Sequence, residues 1–304
     1  MAVGRYIGID LGGTKIEGVV LDAALQPVWR RRVPTDRELG YEHILDRVAA
    51  LATELRTHAP ASRCVGVGSP GSLSMRRDTL KNSNTTCLNG RPLLRDLNDR
   101  LGIEVVLEND ANCFALAEAV GGAGRGHRLV FGVILGTGVG GGIVWDGRLW
   151  GGGQRIAGEW GHHSIDPAGP GCYCGSRGCV ETFLSGPALE AAYVAAGGTA
   201  IPAAEVVGRA GAGEARAGTI WDAYLGHFGR ALANVLDILD PDVVVLGGGL
   251  SNAGALYDRG REAVAACVFN DELRTPIRRH ELGDSAGVIG AALLTTDRAS
   301  GGGG

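Results

Sequence analysis

Ile7-Gly-Ile-Asp-Leu-Gly-Gly-Thr-Lys-Ile-Glu-Gly-Val-Val-Leu-Asp22 returns later in the chain as Phe131-Gly-Val-Ile-Leu-Gly-Thr-Gly-Val-Gly-Gly-Gly-Ile-Val-Trp-Asp146. Without a gap, Gly8 falls on Gly132, Leu11 on Leu135, Gly12 on Gly136, Gly18 on Gly142 and Asp22 on Asp146. Each copy reads as a strand, a glycine turn and a second strand, and Asp146-Gly147 after the second copy is a hairpin signal. Self-similarity over so long a period marks a duplicated unit. The fold expected is therefore α/β, built as two related halves over residues 1–119 and 120–304, with the last helix free to pack back on the first half.

Working outward, apolar residues at Ile44, Val48, Leu51, Ala52 and Leu55 recur with helical spacing, as do Ile220, Tyr224, Phe228, Leu232, Val235 and Leu239. Short apolar runs at Cys64–Gly68, Glu104–Leu107 and Val243–Leu246 predict buried strands. After the last of these, Gly247-Gly248-Gly249 predicts a turn into a helix, and the Ala/Gly-rich stretch Gly197–Gly218 a link or decoration between helices. The tail Ser300–Gly304 reads as a flexible end.

The bulk numbers exclude several classes. The 304 residues suit two domains, and a net charge of -4 favours neither a nucleic-acid nor an anionic membrane partner. No apolar run approaches the ~20 residues that span a bilayer, and the start of the chain reads as a strand, not a signal peptide. Seven cysteines, an odd number, argue against a disulfide framework and for a reducing, cytoplasmic setting. Lysine is confined to Lys15 and Lys81.

Asp10-Leu11-Gly12-Gly13-Thr14-Lys15 lets backbone N–H groups approach phosphate oxygens, with Thr14 adding a hydroxyl and Asp10 a carboxylate suited to magnesium. It is neither a P-loop nor a dinucleotide fingerprint, because a strand follows the turn. Gly136-Thr137-Gly138-Val139-Gly140-Gly141-Gly142 offers a second ring of amides, so the pair is suited to clamping a triphosphate between two domains. A hairpin with tight-turn glycines explains either copy alone, and explains the repeated pair less well. Gly248 and Gly249, after a strand, suit a nucleoside lying against the backbone, though a plain strand-to-helix turn serves equally.

Glu108-Asn109-Asp110-Ala111-Asn112 follows a strand and opens a helix. Asp110 there is a helix cap or a general base that takes the proton of an alcohol attacking a γ-phosphate. Asn109, Glu159 and Glu181 suit sugar hydroxyls, and the turn Gly68-Ser69-Pro70-Gly71 lets a ligand approach the backbone. His162 and His163 precede Cys172-Tyr173-Cys174-Gly175-Ser176-Arg177-Gly178-Cys179. One histidine and three thiolates complete a tetrahedral zinc site with no open position, hence a structural one; the spacing leaves open which histidine takes part.

Together these motifs resemble the ROK family of bacterial sugar kinases and related repressors, within the actin/hexokinase/Hsp70 type of fold, two domains around a central cleft. The resemblance runs through Asp10–Lys15, Gly68–Gly71, Asn109–Asn112, Leu135–Gly142, Glu159–His162, Cys172–Glu181 and Val245–Gly249. It implies Asp110 as catalytic base and Gly71, Asn109, Asp110, Glu159, His162 and Glu181 as sugar contacts. It implies nucleotide binding by Gly8, Ile9, Asp10, Leu11, Gly12, Gly13, Thr14 and Lys15, and by Gly136, Thr137, Gly138, Val139, Gly140, Gly141, Gly142 and Ile143. It places zinc on His162, Cys172, Cys174 and Cys179, choosing His162 over His163, and it implies a homodimer. The family's repressors carry an N-terminal helix-turn-helix; here the first hairpin begins at once, which points to an enzyme.

Lys81–Gly90, Gly158–His162 and Cys172–Gly175 look most similar to the family's fructokinase/mannokinase group. The expectation is thus an ATP- and magnesium-dependent kinase acting on the 6-hydroxyl of a hexose, with fructose first. N-acetylglucosamine kinase is the alternative, since those enzymes share the framework. A sugar-sensing regulator is a further alternative of a different class. An actin-like ATPase would have no use for the cysteine cluster.

Overall fold

The computed structural model describes residues 4–74 and 76–296, so the tail Ser300–Gly304 lies outside the described residues. The chain forms two compact units: residues up to Ala117 together with those from Asp284 onward, and Glu118–Gly283. The last helix thus belongs to the first unit rather than to residues 120–304.

The first unit contains β1 (Tyr6–Leu11), β2 (Lys15–Leu21), β3 (Pro27–Pro34), α1 (Tyr41–His58), β4 (Cys64–Ser69), β5 (Ser72–Leu73), β6 (Leu80–Lys81), α2 (Leu93–Leu101) and β7 (Glu104–Asn109). Helix α3 (Asp110–Gly121) carries the chain into the second unit. There follow β8 (Leu129–Leu135), β9 (Val139–Trp145), β10 (Arg148–Leu149), α4 (Glu181–Leu184), α5 (Gly186–Ala195), α6 (Ala203–Gly211), α7 (Ala215–Leu239), β11 (Val243–Gly247), α8 (Arg259–Ala265) and β12 (Ile277–Arg279). Helix α9 (Ala286–Leu293) completes the first unit.

The duplication is visible in the sheets. One has the order β3-β2-β1-β4-β7, the other β10-β9-β8-β11-β12. In each, a hairpin supplies an antiparallel edge, its first strand pairs in parallel with one later strand (β4 or β11), and that strand pairs in parallel with the last (β7 or β12). The ungapped match needs one correction. Leu11 pairs with Ile16, leaving four residues in the first turn, whereas Leu135 pairs with Val139, leaving three. Past the turn the second copy is one residue ahead, so Gly18, opposite Ile9, corresponds to Gly141, opposite Val133.

The expected strands at 64, 104 and 243 are β4, β7 and β11, and the two periodic segments are α1 and α7. In α7, Tyr224, Phe228, Leu232 and Leu236 fall four apart and are buried, a stripe along one face of the helix. Two expectations change. The stretch 197–218 holds a helix of its own, α6, whose Ala203 and Val206 are buried. After β11 the chain enters a short 3-10 turn over Gly249–Asn252, not an α-helix.

Small residues decide how α9 packs. Gly8 of β1 and Gly66 of β4 are direct neighbours across the parallel pair. A Cβ on Gly66 would lie 1.7 Å from Ala291 O, and one on Gly8 2.4 Å from Ala292 N. The helix backbone therefore lies directly on a floor without side chains. Glu118, fully buried, accepts the amides of Ala123 (2.9 Å), Glu281 (3.1 Å) and Leu282 (2.9 Å), tying together the first and last segments of the second unit. Gly66→Ala should lower the stability of the first unit by about 3 kcal/mol by forcing α9 off the sheet. Urea unfolding would show this as an earlier midpoint, and an unchanged midpoint would contradict it.

Candidate functional site

In the first unit, polar groups gather around Asp10. β1 ends in the turn Gly12–Thr14, whose shape is set from outside: Gly12 N donates to Lys15 O (3.0 Å), Thr35 N to Thr14 O (3.0 Å), and Thr35 Oγ1 to Gly12 O (2.7 Å). The carboxyl of Asp10 is buried, and its pKa is pushed up to about 7, first by burial, then by Asp110 and Glu17, with Lys15 opposing. Helix α9 comes up against the same carboxyl: a Cβ on Gly287 would lie 2.9 Å from Asp10 Oδ2. Glu17, also buried, is held by Arg32 at 2.7 Å, by Arg30 and by Lys15 at 4.0 Å.

β7 delivers Asn109, and Asp110 begins α3, where its Oδ1 accepts from Ala111 N at 2.8 Å. Asn109 Nδ2 donates to Gly71 O at 3.4 Å, and Asn109 Oδ1 accepts from Asn112 N at 3.1 Å. Glu108 Oε1 holds Asn112 Nδ2 at 3.1 Å. Gly71 has φ +84, and a Cβ there would meet Lys81 O at 2.5 Å, so glycine is required on both grounds. Gly71, Asn109, Asp110 and Asp10 are thus brought into one neighbourhood by four separate elements of the chain.

In the second unit the turn between β8 and β9 is enclosed by later segments of the chain. Val139 N donates to Glu181 Oε2 (2.9 Å), Gly186 N to Gly136 O (2.8 Å), and Trp160 Nε1 to Gly140 O (2.9 Å). A Cβ on Gly161 would lie 2.0 Å from Val139 O, and one on Gly158 2.6 Å from Gly141 O. One oxygen of Glu181 is therefore engaged by the turn. Gly248 has φ +80 and would carry its Cβ to within 2.4 Å of Leu135 O, so packing against β8 accounts for it; around Gly249 there is open space.

His162, Cys172, Cys174 and Cys179 converge, with one donor atom of each within 4.8 Å of the others. His162 presents Nδ1, 3.6 Å from Cys172 Sγ, and Cys174 Sγ is 3.6 Å from Cys179 Sγ. His163 is not in the group. A backbone N–H at Ser176 brings the Cys174 thiol down to about 7, so a thiolate is accessible there near neutrality. One imidazole and three thiols at this separation fit zinc.

The profile of the ROK family matches residues 6–298. The chain belongs to the ROK family. It is 38% identical over 299 residues, 95% of this chain and 98% of the other, to N-acetyl-D-glucosamine kinase of Yersinia pseudotuberculosis serotype O:1b. Among solved structures it is similar to the ROK hexokinase of Thermus thermophilus (TM-score 0.86, 34% identity, 98% of this chain and 100% of that one). It is also similar to a ROK family glucokinase from Streptomyces griseus solved with glucose and AMPPNP (TM-score 0.78, 30% identity, 96% and 99% covered). These ROK structures carry the actin/hexokinase type of fold, and no helix among the described residues is long and apolar enough to cross a membrane.

Three participants lie outside the motifs that the sequence offers. Gly287, Thr35 and Glu17 act at the first site from elements remote from the Asp10 turn or, for Glu17, from the strand after it. Only Glu17 left a signal, the one carboxylate in a strand that is apolar beyond Lys15. The raised Asp10 fixes a pH dependence. Its proton is favoured by folding, so its contribution to stability is full below the unfolded value of 3.8 and is lost as pH rises through about 7. Asp10→Asn should flatten the fall in urea midpoint between pH 5 and pH 8 in the ligand-free protein. An Asn variant with an undiminished fall would show that other groups carry it.

Proposed function

We propose that this ROK sugar kinase transfers the γ-phosphoryl group of ATP to the 6-hydroxyl of N-acetylglucosamine. The observation that carries the choice of sugar is the 38% identity with the Yersinia N-acetyl-D-glucosamine kinase across 95% of this chain. It moves the preference away from fructose, which the segments at Lys81–Gly90, Gly158–His162 and Cys172–Gly175 favour on local resemblance. A broader hexokinase is the second reading, supported by the 34% identity with the Thermus ROK hexokinase.

Asp110 takes the proton from the attacking hydroxyl; its place at the start of α3, beside a buried Asp10, supports that role. Asn109 and Gly71, already joined at 3.4 Å, form one surface for neighbouring hydroxyls. Glu159, His162 and Glu181 take further hydroxyls. Within residues 8–15 and 136–143, the turns at Gly13–Thr14 and Thr137–Gly138 offer amides to the nucleotide phosphates, and the open backbone at Gly249 suits the nucleoside. Asp10 fits a magnesium ion, because a buried carboxyl repelled by Asp110 and Glu17 gains from a cation. Bound there, magnesium would offset the charge of the triphosphate. Zinc on His162, Cys172, Cys174 and Cys179 is closed to water and serves structure: it holds the loop between Glu159 and Glu181.

The setting proposed is the cytoplasm. A homodimer is supported by two apolar side chains left in water, Ile238 at 88% exposure and Phe269 at 94%, the latter's N–H bonded to Asp237.

Coupled ADP release with N-acetylglucosamine, glucose, mannose and fructose tests the substrate. N-acetylglucosamine should have the highest kcat/KM, by about tenfold or more, as a site matched to a polar substituent discriminates strongly. A higher value for fructose would return the assignment to the fructokinase group. Asp110→Asn should lower kcat by about 10²–10⁴ with sugar affinity retained, the span expected for a lost general base. Near-normal turnover in that variant would remove Asp110 from the role.

A further inference from the structure

Tyr173 lies within the cysteine loop and is 66% exposed, yet its hydroxyl has a partner inside the protein. It lies 3.0 Å from His162 Nε2, with the two rings edge to face at 5.1 Å between centroids. The other ring nitrogen, Nδ1, faces Cys172 Sγ at 3.6 Å, and Cys172 belongs with His162 to the four-donor group. An imidazole that offers the Nδ1 lone pair to a cation keeps its proton on Nε2. His162 Nε2–H therefore donates, and Tyr173 Oη accepts.

The role proposed above for His162 in sugar binding makes a second claim on the same atom. With Nδ1 turned to the thiols, Nε2–H is the one polar group the ring has left for a hydroxyl. Through His162 Nε2, at 3.0 Å, the phenol touches one of the groups assigned to the sugar directly. The tyrosine hydroxyl thus stands among the groups assigned to the sugar.

We propose that Tyr173 is a stand-in for substrate: its hydroxyl holds His162 Nε2–H in the sugar-free protein, and a sugar hydroxyl displaces it on binding. The inference rests on the reading of His162 as both zinc ligand and sugar contact. Displacement needs only rotation of an exposed side chain about its own bonds, a fast motion that leaves the loop backbone in place. The partner on the far nitrogen of a metal-bound histidine fixes its tautomer and supports metal affinity. Tyr173 supplies that partner when sugar is absent, and the sugar supplies it when bound. Zinc and sugar then become linked ligands, and the linkage is hidden in the natural chain because one partner replaces the other.

Tyr173→Phe exposes it, since the ring and its packing stay and only the oxygen goes. Two measurements on the full chain are needed: zinc retained against a graded chelator series with and without saturating N-acetylglucosamine, and calorimetric sugar affinity without nucleotide. In the Phe variant zinc affinity should fall about tenfold without sugar, the low end for loss of such a partner, and recover when sugar is added. Sugar affinity in the zinc-loaded variant should rise by about two- to tenfold, as no internal hydrogen bond has to be broken. A merely structural tyrosine would give a zinc loss that sugar does not repair. That result, or unchanged affinities in both arms, overturns the proposal. Weaker sugar binding overturns it as well, by making Tyr173 a direct contact. A natural chain that takes up no zinc would sink the metal reading and the stand-in together. A chain that binds zinc but not N-acetylglucosamine would sink the substrate reading alone, and the best hexose of the panel then replaces it in both arms.

Discussion

The first unit rests on a backbone-to-backbone approach. Helix α9 lies on β1 and β4 because Gly8 and Gly66, neighbours across the pair, put no side chain in its way. The same helix presses Gly290 against Cys113 O, where a Cβ would lie at 1.8 Å, and Gly287 against the Asp10 carboxyl. Packing this close fixes the helix to within a fraction of an ångström, as interiors at crystal-like density require. The burial that raises the Asp10 pKa depends in part on where that helix begins, with Gly287 in its first turn. A chain segment more than two hundred residues away thus sets the chemistry of the first turn.

The second unit solves a related problem with polar contacts. Its glycine turn is gripped by Trp160 from one side, by Glu181 from another and by the amide of Gly186 from a third. All three flank or come after the cysteine loop in sequence. Whatever fixes that loop therefore also fixes the turn, so the His/Cys cluster and the glycine turn are mechanically one body. Glu181 is the plainest link, because one carboxylate oxygen is spent on Val139 N before any ligand arrives.

Much of this was legible in the sequence because it is written in local pattern. The duplicated hairpin announced two sheets of one topology, and the Cys172–Cys179 spacing announced a cluster that the fold does assemble. The choice of His162 over His163 needed a resemblance, since adjacent histidines differ only in where the backbone turns them. The one-residue difference between the two turns was hidden, because glycine on both sides of the turn lets an ungapped match slide without penalty. Helix α6 was missed for a similar reason: alanine and glycine at its positions blur the helical period that two buried residues supply. Gly287 and Thr35 left no trace, as contacts between remote segments have no signature in one sequence.

Glu118 has a consequence for how the chain is threaded. A single buried carboxylate takes amides from Ala123, near the entry to the second unit, and from Glu281 and Leu282, near its exit. Entry and exit are thereby close neighbours, which is the geometry that lets a segment be spliced into a loop of a host without stretching it. Seen in this way, Glu118–Gly283 is an excursion of the chain with a built-in clasp, starting inside the third helix and ending before the last.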